Sequence, residues 1–118
     1  MAAQAIVTVF SALADETRLD IVTRLAASEA TLSELAEHYD MSIQAVSKHL
    51  SVLEDAGVVS RRREAQRRPV RLEAEVFDLM AKWIERYRQT AETRYQRLDQ
   101  LLAHLEDQNP QNDEGETI

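Results

Sequence analysis

Apolar residues recur three and four positions apart along most of this chain, the spacing that lines one face of an α-helix. The first such stripe, Ile6, Val9, Phe10 and Leu13, predicts a helix over Ala2–Leu13. Asp15 is placed to cap a second helix from about Glu16 to Ala27, with Leu19, Ile21, Val22 and Leu25 as its buried stripe. Thr31-Leu32-Ser33-Glu34 is a capping box, in which Thr31 and Glu34 satisfy free N–H groups at a helix start. The short helix it opens runs to Tyr39 and buries Leu32, Leu35 and Ala36. Ser42 then caps a helix over Ile43–Ala56, whose stripe is Val46, Leu50 and Leu53 with Ile43 at its edge. Gly57 stands where a left-handed C-terminal cap belongs. Two capped helices joined by a short turn make a helix-turn-helix pattern.

At Val58 the period changes. Val58 and Val59, a run of arginines, then Val70 and Leu72 read as two strands joined at Glu64–Arg67. Pro69 has no N–H for a ladder, so it belongs at an edge. From Glu75 to about Asp107 helical spacing returns in Met80, Ile84, Tyr87, Ala91, Leu98, Leu101 and Leu105. Arg94 interrupts this seam, with Tyr95 beside it. A helix of ~30 residues is ~45 Å long, more than a small domain can cover, and such a seam calls for a partner helix. Symmetric dimerisation supplies one. Phe77, Trp83 and Tyr87, at helical spacing, read as dimer core in preference to a ligand pocket. Residues 1–107 are expected to form one domain and residues 108–118, with Asp113, Glu114 and Glu116, a disordered acidic tail.

Composition sharpens this picture of a mainly α fold with one small β-hairpin. Two Gly and two Pro among 118 residues leave few breaks in helix, and the absence of Cys rules out disulfides and thiolate sites. Ala5–Ala14 is apolar and ends in Ala12-Leu13-Ala14, yet no Lys or Arg precedes it, so a signal peptide is not expected. Nor is there a run of the ~20 apolar residues that span a bilayer, and a cytoplasmic protein is expected. The net charge of −7 argues against nucleic acid until its distribution is considered. Residues 58–72 carry Arg61, Arg62, Arg63, Arg67, Arg68 and Arg71 against Glu64 alone, a dense basic patch on an acidic body.

Three segments then resemble the ArsR-type winged helix-turn-helix repressors. Phe10-Ser11-Ala12-Leu13-Ala14-Asp15-Glu16-Thr17-Arg18-Leu19 is similar to the family's opening helix junction. Met41-Ser42-Ile43-Gln44-Ala45-Val46-Ser47-Lys48-His49-Leu50, with Leu53-Glu54 and Ala56-Gly57-Val58-Val59, resembles its recognition helix and first wing strand. Trp83-Ile84-Glu85-Arg86-Tyr87-Arg88 resembles a Cys-free branch with a long terminal helix. The resemblance spans about residues 5–105. It implies a homodimer joined through terminal helices that represses promoters on double-stranded DNA, with Gln44, Ser47 and Lys48 entering the groove. Two departures stand out. Ala65 occupies a wing-turn place where the family often has Gly, and a turn needing positive φ resists Ala, so a different tip geometry is expected. Pro69 is also unusual there.

The residue types suit the task. With Val46, Leu50 and Leu53 turned inward, Gln44, Ser47, Lys48 and Ser51 lie largely opposite; Gln pairs with adenine, Lys with guanine, and Ser with either. Ser42 serves foremost as a cap and is also a candidate to touch a phosphate. His49 has two readings, a phosphate contact or a structural hydrogen bond, and Arg18 likewise either reaches a phosphate or pairs with Asp15 or Asp20. In the wing, Arg62 and Arg63 are candidates for phosphates and Gln66, Arg67 and Arg68 for the minor groove. The expected dimer interface is Ile6, Val9, Phe10, Met80, Ile84, Tyr87, Ala91, Leu98, Leu101 and Leu105.

Other functions find little support. Asp78, His104 and Glu106 do not share the faces a metal site needs, so neither metal nor cofactor is expected. No phosphate loop or nucleophilic triad is present, which speaks against an enzyme. The alternative is a dimeric winged-helix scaffold whose arginines meet an acidic protein. The residues specify no small-molecule effector.

Overall fold

The computed structural model describes residues 2–108. Its elements are α1 (Ala2–Leu13), α2 (Glu16–Ala27), α3 (Leu32–Ala36), α4 (Ile43–Asp55), β1 (Val59–Arg61), β2 (Val70–Leu72) and α5 (Ala74–Asp107). The chain forms two compact units, residues 1–80 and 81–118. The expected acidic tail lies, apart from Gln108, outside the described residues.

Each helix boundary has a local cause. Asp15 caps α2 by accepting the Arg18 N–H at 2.9 Å. The capping box of α3 is complete, Thr31 Oγ1 accepting from Glu34 N at 3.2 Å and Glu34 Oε1 from Thr31 N at 2.9 Å. Ser42 Oγ accepts the Ala45 N–H at 3.1 Å and so starts α4. α3 ends at Ala36, short of the expected Tyr39. His38 N bonds Leu35 O at 3.1 Å and Tyr39 N bonds Ala36 O at 3.2 Å, so the chain tightens out of α geometry. At its other end, α4 closes with a Schellman motif. The Val58 N–H reaches Leu53 O at 2.9 Å and the Gly57 N–H reaches Glu54 O at 3.0 Å, around Gly57 at φ +79°. Val58 and Leu53, both fully buried, supply the apolar contact that accompanies this motif.

The wing is a short antiparallel pair with Val59 opposite Leu72, Ser60 opposite Arg71 and Arg61 opposite Val70. Val70 also exchanges both backbone bonds with Ala30, at 2.7 and 3.2 Å, which anchors the hairpin to the chain entering α3. Pro69 is buried, and its carbonyl accepts from Arg62 N at 3.2 Å. Beyond it, Glu64 and Arg67 exchange backbone bonds of 2.9 and 2.8 Å around Ala65-Gln66. Ala65 has φ +52°. The expectation that Ala would force another tip geometry is therefore corrected. The first central residue of this two-residue turn keeps the left-handed backbone, as a type II′ hairpin requires, and the two Glu64–Arg67 bonds hold it there.

The core of the first unit draws on every element: Ile6, Val9 and Ala12 from α1, Ile21, Val22 and Leu25 from α2, Leu35 from α3, and Val46, Leu50 and Leu53 from α4. Val58, Val59, Val70 and Met80 complete it. Two expectations change. Leu19 is 52% exposed, because it lies roughly 110° from the middle of the Ile21–Val22–Leu25 stripe at ~100° per residue. Ile6, Val9 and Met80, expected at a dimer interface, are 3%, 2% and 7% exposed within one chain. α1 packs on α2 and α4, which bury that face before any partner arrives.

In the second unit, Ile84, Tyr87, Tyr95, Leu98, Leu101, Leu102 and Leu105 are about half exposed or more. The Trp83 and Tyr87 rings meet at 4.5 Å between centroids, tilted by 48°. Arg88 reaches Glu85 at 2.7 Å and Glu92 at 2.9 Å.

The two positive-φ residues predict opposite responses. Ala65→Gly relieves the left-handed strain at the wing tip and raises the unfolding free energy by about 1 kcal/mol. Gly57→Ala lowers it by about 1–2 kcal/mol, since the added Cβ also stands 3.3 Å from Val76 Cγ2. Urea denaturation of the two variants beside the wild type measures both signs.

Candidate nucleic-acid interface

The geometry of α4 follows from its buried stripe. Val46, Leu50 and Leu53 are each 0% exposed. At ~100° per residue, Gln44, Lys48 and Ser51 fall within roughly 50° of the opposite direction, and all three are exposed. Ser47 lies on one flank and is half-buried, while Ser42 is exposed but spends its oxygen on the cap. Ile43 and Met41 are also exposed, at 42% and 36%, beside the start of α4. The sequence pattern placed Ile43 at the core edge and gave Met41 no role. Apolar side chains next to Gln44 are the signal that would have found them.

His49 occupies the other flank. Its Nδ1 is 3.2 Å from Arg18 Nη1 and 3.9 Å from Asp15 Oδ1. Arg18 also donates from Nε to the Ala12 carbonyl at 2.5 Å. Of the two readings of each residue, the structure places both in an internal cluster.

The wing arginines divide into two groups. Arg61 lies 3.6 Å from Glu54 of α4, and Arg71 lies 3.0 Å from Glu64 and 3.5 Å from Glu29. Arg67, a candidate for the minor groove, instead meets Glu34 of α3 at 2.6 Å. Arg62, Arg63 and Arg68 are exposed, and among the described residues no carboxylate pairs with them or with Lys48. Arg61, Arg63, Gln66, Arg67 and Arg68 line an open cleft of about 500 Å³ on this wing. The sequence located the basic patch; it did not reveal that distant glutamates occupy half of it.

Polar contacts pin the helix-turn-helix to the body. Tyr39, just after α3, donates its hydroxyl to Asp20 of α2 at 2.6 Å, and Arg24 reaches the same oxygen at 2.9 Å. The pKa of Tyr39 is pushed up to about 12, first by burial and then by its hydrogen bond to Asp20. The Tyr39 hydrogen bond, followed by that of Arg24, holds Asp20 below its ordinary range. The Arg18 N–H does the same for Asp15, and the Thr31 N–H for Glu34. Among the described residues no group of three or more His, Asp or Glu is placed to hold a metal, and no helix is long and apolar enough to cross a membrane.

A helix pair with an exposed polar face on its second helix, followed by an arginine-bearing hairpin, defines a winged helix-turn-helix protein. A helix-turn-helix domain family matches residues 13–62. The HTH-type transcriptional regulator YuzN of Bacillus subtilis is 44% identical over 85 residues, covering 65% of this chain and 92% of that protein. The crystal structure of an ArsR family transcriptional regulator superposes with a TM-score of 0.70 at 32% identity, over 76% of this chain and 93% of the other. The homodimeric winged helix-turn-helix DNA-binding domain of Mb0332 from Mycobacterium bovis, a possible ArsR-family regulator, gives 0.60 at 28% identity, over 74% and 82%. This chain belongs to the ArsR family of winged helix-turn-helix transcriptional regulators. It is a DNA-binding regulator of transcription.

The three depressed carboxylates fix the sign of an acid response. Each contributes stability above its unfolded-state value, ordinarily 3.8 for Asp15 and Asp20 and 4.5 for Glu34, and loses it as pH falls through the lower folded value. The melting temperature therefore drops as pH is lowered from 5 toward 3. In Tyr39→Phe, which removes the largest cause acting on Asp20, the drop is shallower. Thermal melts across that range compare the two proteins.

Proposed function

We propose that residues 1–107 work as one DNA-binding and dimerisation domain, and that two copies occupy an inverted-repeat operator in the cytoplasm and repress transcription by blocking polymerase. The observation that carries this reading is the outward set Gln44, Lys48 and Ser51, opposite a fully buried stripe and beside three exposed wing arginines with which no carboxylate pairs among the described residues. The major groove admits one α-helix and presents a distinct donor and acceptor pattern for each base pair. Gln44 reads adenine, Lys48 reads guanine, and Ser47 and Ser51 add single hydrogen bonds. Ile43 meets a thymine methyl. Arg62, Arg63 and Arg68, with Gln66 at the tip, hold phosphates and the adjacent minor groove. Ser42 remains a cap, while His49 and Arg67 hold the frame and do not touch DNA.

The second copy joins through the terminal helix. Ile84, Tyr87, Leu98, Leu101 and Leu105 form a stripe that one chain leaves about half exposed, with Ala91 between them. The Mycobacterium bovis neighbour, described as homodimeric, supports this arrangement. A two-fold dimer sets its recognition helices ~34 Å apart, one turn of DNA. No bound cofactor is required for repression by occupancy.

Selection from a random-sequence duplex pool followed by gel shift tests the reading. The wild type enriches a palindromic site and binds it less tightly as salt rises. Lys48→Ala relaxes preference at one base pair per half-site, a cost of about 1–3 kcal/mol. Arg68→Ala weakens all duplexes alike and reduces the salt slope by about 1. A basic scaffold for acidic proteins would enrich no sequence, which would overturn the proposal. Leu98→Asp with Leu101→Asp yields monomers in sedimentation and abolishes the gel shift; a double variant that stays dimeric removes the terminal helix from the interface.

A further inference from the structure

We propose that Arg18 is a positioning residue for DNA reading: it fixes through His49 the rotation at which α4 presents Lys48 and Ser51, and ties that rotation to α1 through the Ala12 carbonyl. The proposal rests on the operator reading above and concerns residues that reading leaves without DNA contacts.

The stripe of Val46, Leu50 and Leu53 decides which face of α4 turns inward. Apolar burial is non-directional, however, and does not by itself fix rotation about the helix axis. Base reading is sensitive to that rotation, because its hydrogen bonds have narrow distance and angle limits. Side-chain contacts to α4 from elements distant in sequence are therefore informative, and among the described residues the shortest of them is Arg18 to His49 at 3.2 Å. The next is Arg61 to Glu54 at 3.6 Å, near the other end of the helix.

Arg18 is built for the task. It stands in the first turn of α2, where its own N–H is fixed by Asp15 at 2.9 Å. Its side chain is 18% exposed and that of His49 is 23% exposed, so both ends of the contact are largely removed from water. Nε donates to Ala12 O at 2.5 Å, in the last turn of α1, where carbonyls lack helical partners. The planar guanidinium, bonded to α1 through one nitrogen and to α4 through another, sets their relative bearing. Arginine has no acceptor, so His49 Nδ1 is the acceptor and the ring carries its hydrogen on Nε2. Asp15, 4.0 Å from the guanidinium, offsets the charge of Arg18. Lys48 precedes His49 directly in sequence, so a turn of α4 that breaks this bond also moves Lys48.

Two probes test the proposal: the duplex enriched by the wild-type chain and poly(dI-dC) as non-specific DNA. Arg18→Lys keeps the charge and loses the fork, and His49→Leu keeps the size and loses the acceptor. Each lowers the ratio of specific to non-specific affinity by about tenfold, within the 10³–10⁷ that such a ratio spans, and leaves the poly(dI-dC) affinity unchanged. The double variant is no worse than either single one, because both remove one bond. His49→Asn returns an acceptor near the Nδ1 position and restores most of the ratio, which a volume effect alone would not do. Full specificity in His49→Leu overturns the proposal, as does equal loss on both DNAs with a shallower salt slope in Arg18→Lys, the mark of a phosphate contact. Ring-nitrogen NMR of the free protein checks the bond without DNA: an Nε2–H tautomer in the wild type that is lost in Arg18→Lys, against no change if the bond is absent. A wild type that enriches no duplex refutes the operator reading, and the NMR result then judges the bond alone.

Discussion

Burial of three side chains on one helix governs most of what this protein presents to its surroundings. Val46, Leu50 and Leu53 leave no surface to solvent, and truncating one such residue typically costs about 2–5 kcal/mol. Against a total stability of roughly 5–15 kcal/mol for a native domain, the helix has no alternative face to bury. Gln44, Lys48 and Ser51 are outward because these three are inward. The Schellman closure at Gly57 then sends the chain directly into Val58 and Val59, both buried, so the wing begins at a fixed distance from the reading face. The Ala30–Val70 bridge secures the hairpin's other edge to the segment that opens α3.

Electrostatics explains how an acidic chain carries a basic wing without that wing binding its own body indiscriminately. Of six arginines in residues 58–72, Arg61, Arg67 and Arg71 meet Glu54, Glu34 and the pair Glu29 and Glu64. Arg61 is largely covered, but every glutamate partner stays in contact with water, and such pairs add little to stability. Their effect is geometric: Arg61 joins β1 to α4 and Arg67 joins the wing tip to α3, so both parts of the interface move as one piece. The cations left over are few. With a whole-chain net charge of −7 weighing against duplex DNA, long-range attraction to any phosphate backbone is weak, which favours a protein that relies on base contacts over one that coats DNA.

The features legible in the sequence were those in which cause and effect lie within a few residues. Asp15, Thr31 with Glu34, Ser42 and Gly57 each satisfy backbone groups no more than five positions away, and every one performs its expected local role. The buried face of α4 was equally plain, being a property of one helix. What escaped depended on neighbours distant in sequence. Leu19 fits an apolar pattern, but α2 has only one side against the core. Ile6 and Val9 carry the right spacing for a partner helix, and the partners are α2 and α4 of the same chain. His49 and Arg18 are 31 positions apart, and Arg67 and Glu34 are 33 apart; periodicity is silent on such pairs. Ala65 erred in the other direction, since local propensity disfavours its backbone while two cross-turn hydrogen bonds impose it.

The half-exposed stripe on the terminal helix and the small reading face are linked by a single energetic argument. A good bidentate base contact discriminates by about 1–3 kcal/mol, and in the proposed function one copy of α4 offers Gln44 and Lys48 as its long polar readers. Two such contacts supply at most ~6 kcal/mol, whereas a genome presents roughly 10⁶–10⁹ competing sites; at ~1.4 kcal/mol per factor of ten, 10⁶ sites alone require about 8 kcal/mol. A single protomer falls short of that requirement. Two protomers joined rigidly double the discrimination while the cost of bringing protein to DNA is met once. Leu98, Leu101, Leu102 and Leu105 are costly to leave in water, and the surface they offer is what a second reading head would use. The same sequence therefore carries both halves of the solution: a reader too small to act alone, and an apolar helix that is not satisfied alone.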